Sequence, residues 1–206
     1  SWPMARKGLL IDWGGVMTSD LFVGFSAFCE REGLEPSALA SAFRHDPVAR
    51  QALIDFECGR LDAAAFEPII GGALGVADHG DLVARMFADM RNDDAMQDAV
   101  AGLKRAGVRT GLLSNSWGPQ TYDRRRFDEL FDITVISGDE GMRKPDPAIY
   151  ELAAERIGLP YDELVFVDDL PHNLAPAEEL GIATVHHSSA DETIRRLEEL
   201  FAISVR

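Results

Sequence analysis

The sequence has few of the features that direct a chain to membranes or to oxidising compartments. Only two cysteines, Cys29 and Cys58, occur in 206 residues, which is too few for a disulfide framework, and their spacing suggests no metal site. No apolar run approaches the ~20 residues that a membrane-spanning helix requires, and no signal-peptide pattern is recognisable. We therefore expect a cytoplasmic protein with reduced thiols and no association with membranes.

Positive charge is also scarce. The chain has 20 Lys and Arg against 35 Asp and Glu, which gives a formal net charge of −15. The densest basic run, Arg124 to Arg126, is flanked by Asp123 and Asp128 and is interpreted as a solvated helix face. An acidic chain without a basic stripe is not expected to bind nucleic acid. An anionic small molecule can still bind where local cations or a metal ion offset the acidic field.

The first apolar run ends at a carboxylate. Hydrophobic residues make up 46% of the chain, enough for one globular core with an insertion. Residues 9–11 are Leu-Leu-Ile and predict a short buried strand, which Asp12 follows directly. Gly14 and Gly15 then let the backbone turn sharply and approach a ligand. Ligands bind at the carboxyl ends of strands in open parallel α/β sheets, so Asp12 is the first candidate functional residue.

The segment from residue 20 to residue 94 contains no convincing strand. Its apolar residues recur at helical spacing, and Asp62 predicts an N-cap for a helix that starts after Leu61. We interpret this segment as a helical cap inserted after the first strand. Most of its phenylalanines are expected in the core of the cap, with a few lining a cleft: Phe22, Phe25, Phe28, Phe43, Phe56 and Phe66.

Strands and helices alternate from residue 95 onward. Predicted strands cover residues 109–113, 133–136, 164–167 and 182–185, and predicted helices cover 95–106, 120–130, 148–157, 173–180 and 191–201, with a loop at 137–143. This alternation predicts an α/β fold with a doubly wound, Rossmann-like parallel sheet. We assign residues 4–19 and 95–206 to this α/β core and residues 20–94 to the helical cap.

Polar groups of complementary kinds follow the predicted strands. Because the carboxyl ends of parallel strands meet at one edge of the sheet, these groups are expected to lie together. They are Asp12 after the first strand, Ser114 and Asn115 after the second, Lys144 in the loop after the third, and Asp168 and Asp169 after the fourth.

These groups suit phosphoryl chemistry. Three carboxylates close together repel one another and must take up protons or a cation. Oxygen ligands with room for water favour Mg²⁺, which also partners phosphate. Lys144 would add positive charge, and Ser114 with the amides near Asn115 would hold phosphoryl oxygens. Asp12 could then act as a covalent nucleophile.

Three further stretches and the Asp12 segment together resemble the haloacid dehalogenase-like (HAD) hydrolase superfamily. Within it the chain is most similar to the N-terminal phosphatase domain of bifunctional soluble epoxide hydrolases, and the cap resembles that family's mobile cap. The resemblance covers the whole chain. The matching stretches are Leu112-Leu113-Ser114-Asn115-Ser116-Trp117, Gly141-Met142-Arg143-Lys144-Pro145-Asp146-Pro147, and Val167-Asp168-Asp169 through Asn173 to Gly181.

The resemblance implies a role for each site residue. Asp12 would be the nucleophile and a Mg²⁺ ligand, and Gly14 would offer its backbone carbonyl to the metal. Asp169 would bind the metal directly, while Asp168 and Asn173 would support it.

The phosphate side of the site is implied in the same way. Ser114 and Asn115 would contact the phosphate, and Lys144 would hold the nucleophile and the phosphate together. The implied substrate is a small phosphorylated molecule, and the oligomeric state is left open.

One position departs from the family pattern. Phosphatases of this family carry a second Asp two residues after the nucleophile, which protonates the leaving group and then activates water. Gly14 stands there in this chain, which predicts a slow enzyme, because general acid–base help contributes about 10²–10⁴ in rate. Replacement candidates are Asp20, His45, Asp46 and His172.

Two other functions stay open at this point. Dehalogenases of the superfamily also lack the second Asp and need no metal, but they lack the acidic pair that Asp168 and Asp169 form here. A phosphatase is therefore favoured over a dehalogenase. The third alternative is a non-catalytic protein that binds phosphorylated ligands or a protein partner on the same fold.

Overall fold

The computed structural model describes residues 5–206, so residue 4, where the predicted core begins, lies outside the described residues. The strands are β1 (Gly8–Ile11), β2 (Arg109–Ser114), β3 (Ile133–Ile136), β4 (Leu164–Asp168) and β5 (Ala183–His186). The helices are α1 (Leu21–Arg31), α2 (Ala38–His45), α3 (Pro47–Glu57), α4 (Ala63–Leu74), α5 (Leu82–Met86), α6 (Asp94–Arg105), α7 (Phe127–Leu130), α8 (Ser137–Glu140), α9 (Pro147–Ile157), α10 (Pro171–Leu180) and α11 (Ala190–Phe201). No helix within these described residues is long and apolar enough to cross a membrane.

The five strands form one parallel sheet in the order β3-β2-β1-β4-β5. The last residue of the central strand β1, Ile11, pairs with Leu112 of β2 and Val167 of β4. All of β1 is buried, as expected for a strand covered on both faces. The predicted doubly wound α/β sheet is confirmed. The residues that follow β1, β2 and β4 therefore emerge side by side at one edge.

Helices cover the sheet on both faces. Side chains alternate along a strand, so Leu9 and Ile11 face one layer and Leu10 faces the other. Leu9 and Ile11 pack in the apolar cluster that also contains residues of α6, α7 and α11. Leu10 packs with Tyr150 of α9 and Leu174 of α10. Because a slip by one residue would reverse these faces, the two layers fix the register of β1.

Helices α1 to α5 lie between β1 and α6 and pack around an apolar cluster of their own. Phe28 and Phe66 are fully buried, whereas Phe22 is 51% exposed. Both cysteines are buried in this region as free thiols. An isolated antiparallel bridge pairs Thr18 with Asn92, so the chain enters and leaves the helical cap at neighbouring points. The domain limits at residues 20 and 94 stay a prediction.

Aspartates begin five of the helices. Asp20, Asp46, Asp62, Asp93 and Asp146 each accept a hydrogen bond from a first-turn backbone N–H. The predicted cap at Asp62 is confirmed, because its carboxylate accepts from the Ala65 N–H at 2.9 Å. Such caps satisfy backbone donors that a helix leaves free.

The helix predicted over residues 120–130 is wrong up to residue 126. A single 3₁₀ turn covers Pro119–Thr121, Tyr122 is extended, and α7 begins only at Phe127. The Tyr122 ring is buried, and the Arg124 guanidinium lies 5.5 Å and 5.2 Å from the ring centroids of Tyr122 and Phe127. These tertiary contacts replace a continuous helix. The basic run at residues 124–126 precedes α7 and is not a helix face.

The loop predicted over residues 137–143 is also wrong in its first half. It begins with the short helix α8, which ends at Gly141 in the left-handed conformation. The other predicted helices and strands are present, with ends that differ by one or two residues.

Candidate active site

Lys144 lies at the centre of the polar cluster at the sheet edge. Its Nζ is 3.0 Å from Asp12 Oδ1 and 2.8 Å from Asp168 Oδ2, and it donates to the Leu113 carbonyl at 2.9 Å. Lys144 is only 1% exposed. Burial works against its charged form, yet Asp12 and Asp168 hold the pKa of Lys144 above its ordinary value. The lysine is therefore a fixed positive charge that joins the ends of β1, β2 and β4.

Three carboxylates share this edge. Asp12, Asp168 and Asp169 each offer an oxygen within 4.8 Å of the others. Burial and the negative charge of Asp168 raise the pKa of Asp12 well above its ordinary value, although Lys144 opposes the shift. Burial and Asp168 also raise the pKa of Asp169, to about 6. The cluster is therefore strained by like charges and would be relieved by a cation.

The residues around Asp168 fit a magnesium site. Asp168 accepts from the Leu170 N–H at 2.9 Å and from the Asn173 side-chain amide at 3.3 Å. Asn173 Oδ1 is buried and has no partner among the described residues, so it can accept from a metal-bound water. An oxygen-only donor set with such an acceptor suits Mg²⁺. Sequence reasoning predicted this group, and the structure brings its members together.

The two glycines after β1 have different surroundings. Gly15 has φ +82°, and a Cβ there would lie 2.5 Å from Asp169 Oδ2. Only glycine lets the backbone pass this close to the carboxylate. A Cβ at Gly14 would lie 2.8 Å from Leu21 Cδ1, the end of a flexible side chain. Asp12 is oriented here too, because its Oδ1 accepts from the Trp13 N–H at 2.9 Å.

Ser114 has a partner that the sequence did not indicate. Its Oγ is 2.8 Å from Tyr122 Oη, and both residues are buried. Burial raises the pKa of Tyr122, so the phenol stays neutral and can orient the Ser114 hydroxyl. Tyr122 was missed because residues 120–130 were interpreted as a helix. Gly118 and Pro119 just before it were the available signal for a turn.

The Asn115 side chain forms two hydrogen bonds with the backbone of Lys144. Its side-chain amide donates to the Lys144 carbonyl at 3.0 Å and accepts from the Lys144 N–H at 2.9 Å. Both ends of the amide are engaged, so a contact from Asn115 to phosphate would have to come from its backbone N–H. The predicted phosphate-binding role stays a prediction in that form.

A cavity of about 540 Å³ opens above the cluster. The helical cap covers it with apolar side chains, including Phe22, Phe25, Phe43, Phe87 and Met90, and Trp117 reaches it from the core. Arg44 and Arg50 also line it. The cavity is therefore polar at the sheet edge and mainly apolar under the cap.

Another ion pair lies at this cavity and was not anticipated. Glu57 and Arg143 both line it, and Arg143 Nε donates to Glu57 Oε1 at 2.8 Å. Of the replacement acids that the sequence suggested, only His172 lines the cavity. Asp20 and Asp46 accept hydrogen bonds as helix N-caps.

Comparisons with known proteins agree with this arrangement. A family model described as haloacid dehalogenase-like hydrolase matches residues 7–181. Bifunctional epoxide hydrolase 2 of Sus scrofa is 32% identical over 117 residues, which cover 53% of this chain and 21% of that protein. The sesquiterpene phosphatase astK of Aspergillus oryzae is 29% identical over 152 residues, which cover 70% of this chain and 76% of that protein. The matched region is therefore only about a fifth of the epoxide hydrolase.

A solved structure has the same fold. The HAD family enzyme bt-2542 of Bacteroides thetaiotaomicron, crystallised with magnesium and inorganic phosphate, gives a TM-score of 0.66 at 24% identity. The similarity covers 89% of this chain and 94% of that chain. At this level of identity the likeness establishes the shared architecture.

Proposed function

Because this chain belongs to the haloacid dehalogenase-like hydrolases, we propose that it is a Mg²⁺-dependent phosphatase that hydrolyses a small phosphomonoester through an acyl phosphate on Asp12. The observation that carries the proposal is the cluster of Asp12, Asp168 and Asp169 beside the buried Lys144. Three carboxylates at one point are costly without a cation. A metal-independent reaction would need Asp12 as nucleophile but not the acidic pair of Asp168 and Asp169.

The carboxylates divide the work between nucleophile and metal. One carboxylate oxygen of Asp12 attacks phosphorus. The other Asp12 oxygen, together with Asp169 and the Gly14 carbonyl, would hold Mg²⁺. Asp168 and Asn173 would support the metal. When bound, Mg²⁺ neutralises negative charge on the phosphoryl group so that a carboxylate can approach it.

The opposite side of the site binds the phosphoryl oxygens. Lys144 supplies positive charge to the nucleophile and the phosphate. The Ser114 hydroxyl, oriented by Tyr122, and the Asn115 backbone N–H supply hydrogen bonds. These donors stabilise charge that develops during transfer.

Relatives support phosphatase chemistry over the two alternatives. One relative is named a sesquiterpene phosphatase, and it matches 76% of its own length. A solved enzyme with this fold was crystallised with magnesium and inorganic phosphate. A haloacid dehalogenase would not need the acidic pair, and a non-catalytic binder would not need Asp12 beside Lys144. The proposed substrate is a small phosphorylated molecule, and cytoplasmic location stays a prediction.

The test is hydrolysis of p-nitrophenyl phosphate with Mg²⁺ and with excess chelator. We expect turnover that requires the metal and is lost in Asp12→Asn. Asp162→Asn is the matched control, because Asp162 is exposed and precedes β4 at the opposite edge of the sheet. Turnover that survives in Asp12→Asn would refute the mechanism. Folded protein without turnover would contradict the phosphatase proposal and favour the dehalogenase, which an assay of halide release tests, or the non-catalytic binder, which a ligand-binding assay tests.

A further inference from the structure

Glu57 is a carboxyl group that lies in the active-site cavity without belonging to the acidic cluster. It is the last residue of α3 and is 5% exposed. Apart from Asp12 and Asp169, it is the one carboxylate among the described residues that lines the cavity. Asp12 and Lys144 line the same cavity, and their charges both affect the pKa of Glu57.

We propose that Glu57 serves as the acid–base group in place of the Asp that phosphatases of this family carry at the position of Gly14. This inference rests on the proposed phosphatase function. As Asp12 forms its bond to phosphorus and the phosphorus–oxygen bond to the leaving group breaks, the Glu57 carboxyl gives its proton to the departing oxygen. Water then attacks phosphorus and gives a proton to the Glu57 carboxylate. The bond to Asp12 breaks, which releases inorganic phosphate and restores the protonated Glu57.

The hydrogen bonds of Glu57 suit a proton donor. Arg143 Nε occupies Oε1 at 2.8 Å, and Oε2 has no hydrogen-bond partner in residues 5–206. The carboxyl is therefore held at one oxygen while the other can carry the proton. Burial raises the pKa of Glu57 to about 7, against the opposing effect of Arg143. An acid with this pKa can both give and accept a proton near neutrality.

Contacts with the core fix Glu57 in the cavity. Its backbone carbonyl accepts from Ser137 Oγ at 2.5 Å, and Ser137 stands directly after β3. Gly59 has φ +77°, and a Cβ there would collide with the Gly138 carbonyl. Arg143 immediately precedes Lys144 in the chain. The end of α3 therefore packs against α8 and is joined by Arg143 to the segment that carries the catalytic lysine.

Other acids fit the role less well. Asp20 and Asp46 are engaged as helix caps and do not line the cavity. His172 lines the cavity but is exposed in the first turn of α10. Bulk water competes for the proton of an exposed group, whereas the cap shields Glu57 from water.

The experiment compares two phosphate esters that share a nitrophenyl ring. The p-nitrophenolate released from p-nitrophenyl phosphate is a weak base and leaves without being protonated. The p-nitrobenzyl alkoxide released from p-nitrobenzyl phosphate is a strong base and needs a proton donor. In Glu57→Gln we expect kcat/KM for p-nitrobenzyl phosphate to fall on the order of 10²-fold or more, and kcat/KM for p-nitrophenyl phosphate to change by less than about threefold. With p-nitrophenyl phosphate the variant should release a burst of phenolate and then turn over slowly, because hydrolysis of the acyl phosphate lacks its base.

Controls separate this role from a purely structural one. Ser137→Ala removes a contact of the same segment but keeps the carboxyl, so the ratio of the two kcat/KM values should stay that of the wild type. Should Glu57→Gln fold poorly, Glu57→Asp keeps a titratable group and should retain part of the p-nitrobenzyl activity. An equal loss of kcat/KM on both esters in Glu57→Gln would mean that Glu57 has only a structural role, and it would overturn the proposal.

The remaining outcomes distinguish failure of the Glu57 proposal from failure of the phosphatase proposal. If wild-type turnover needs Asp12 and Mg²⁺ but only His172→Gln changes the ester ratio, the Glu57 proposal fails and the phosphatase function stands. If wild type hydrolyses neither ester, both proposals fail together.

Discussion

The α/β core and the helical cap contribute opposite kinds of surface to one cavity. The core side consists of charged groups at strand ends, with Lys144 and Asp168 almost completely buried. The cap side consists mainly of aromatic and aliphatic side chains. Strand ends hold charges in fixed positions because a sheet buried on both faces cannot shift. We infer from this contrast that the core supplies the nucleophile, the metal ligands and the phosphate contacts, whereas the cap supplies Glu57 and selects the non-phosphate part of the substrate.

The charged side is where one substitution should have the largest effect. Lys144→Met leaves Asp12 and Asp168 buried without their common partner. We expect turnover of p-nitrophenyl phosphate to fall on the order of 10³-fold or more and the free energy of unfolding to fall by about 3–5 kcal/mol. Enzyme kinetics and denaturant unfolding measure these two quantities.

The control is Lys7→Met. The Lys7 side chain is 53% exposed and pairs with Glu163, so turnover and the free energy of unfolding should hardly change. Equal effects in the two variants would contradict a special role for the buried lysine.

The close approach at Gly15 offers a second test of the core. Gly15→Ala combines a left-handed backbone with a Cβ that lies 2.5 Å from Asp169 Oδ2. The backbone alone should cost about 1 kcal/mol. Displacement of Asp169 should in addition weaken Mg²⁺ affinity on the order of tenfold or more. Gly33→Ala is the matched control, because Gly33 has φ +72° and a Cβ there would meet no atom within 4 Å. Similar metal affinity in both variants would mean that Asp169 does not hold the metal.

The pH dependence of folding stability tests the acidic cluster and Glu57 without an activity assay. The pKa of Asp169 is raised from 3.8 to about 6, and that of Glu57 from 4.5 to about 7. The folded state therefore keeps protons that the unfolded chain has lost, and metal-free stability should decrease as pH rises from about 4 to about 7. Bound Mg²⁺ favours the ionised carboxylates, so the rise in Tm that it produces should grow by about 2–4 °C between pH 5 and pH 8.

Thermal unfolding with Mg²⁺ and with chelator checks this expectation. Asp169→Asn should remove most of the pH dependence of the metal effect. A metal effect that is constant across this pH range would contradict the assignment of the cluster as the cation site.

The smallest effect is expected where a missing group is restored. Gly14→Asp places a carboxyl beside the nucleophile, and its Cβ can be accommodated if the end of the flexible Leu21 side chain moves aside. We expect turnover of p-nitrobenzyl phosphate to rise about tenfold, most clearly in the Glu57→Gln background. Gly14→Asn has the same size but no titratable proton and should give no gain. A gain in both variants would point to packing and not to acid–base chemistry.

Parallel topology explains why much of the site could be predicted. Asp12, Ser114, Lys144 and Asp168 each follow an apolar run that the sequence identifies as a strand. Once the strands are parallel, their carboxyl ends must share an edge. The prediction failed over residues 120–130, where helical spacing was overridden by the contacts of Tyr122 with Ser114 and Arg124. Periodicity describes neighbours along the chain and carries no information on such contacts.

Local apolar patterns and the alternation of strands with helices were enough to predict the fold and the group of residues at the strand ends. The action of Asn115 on the Lys144 backbone and the place of Glu57 in the cavity depend on contacts that exist only in the folded chain. The ion pair of Glu57 with Arg143 joins residues 86 positions apart. It arises because the cap folds back over the sheet edge, and the raised pKa of Glu57 follows from the burial that this packing creates.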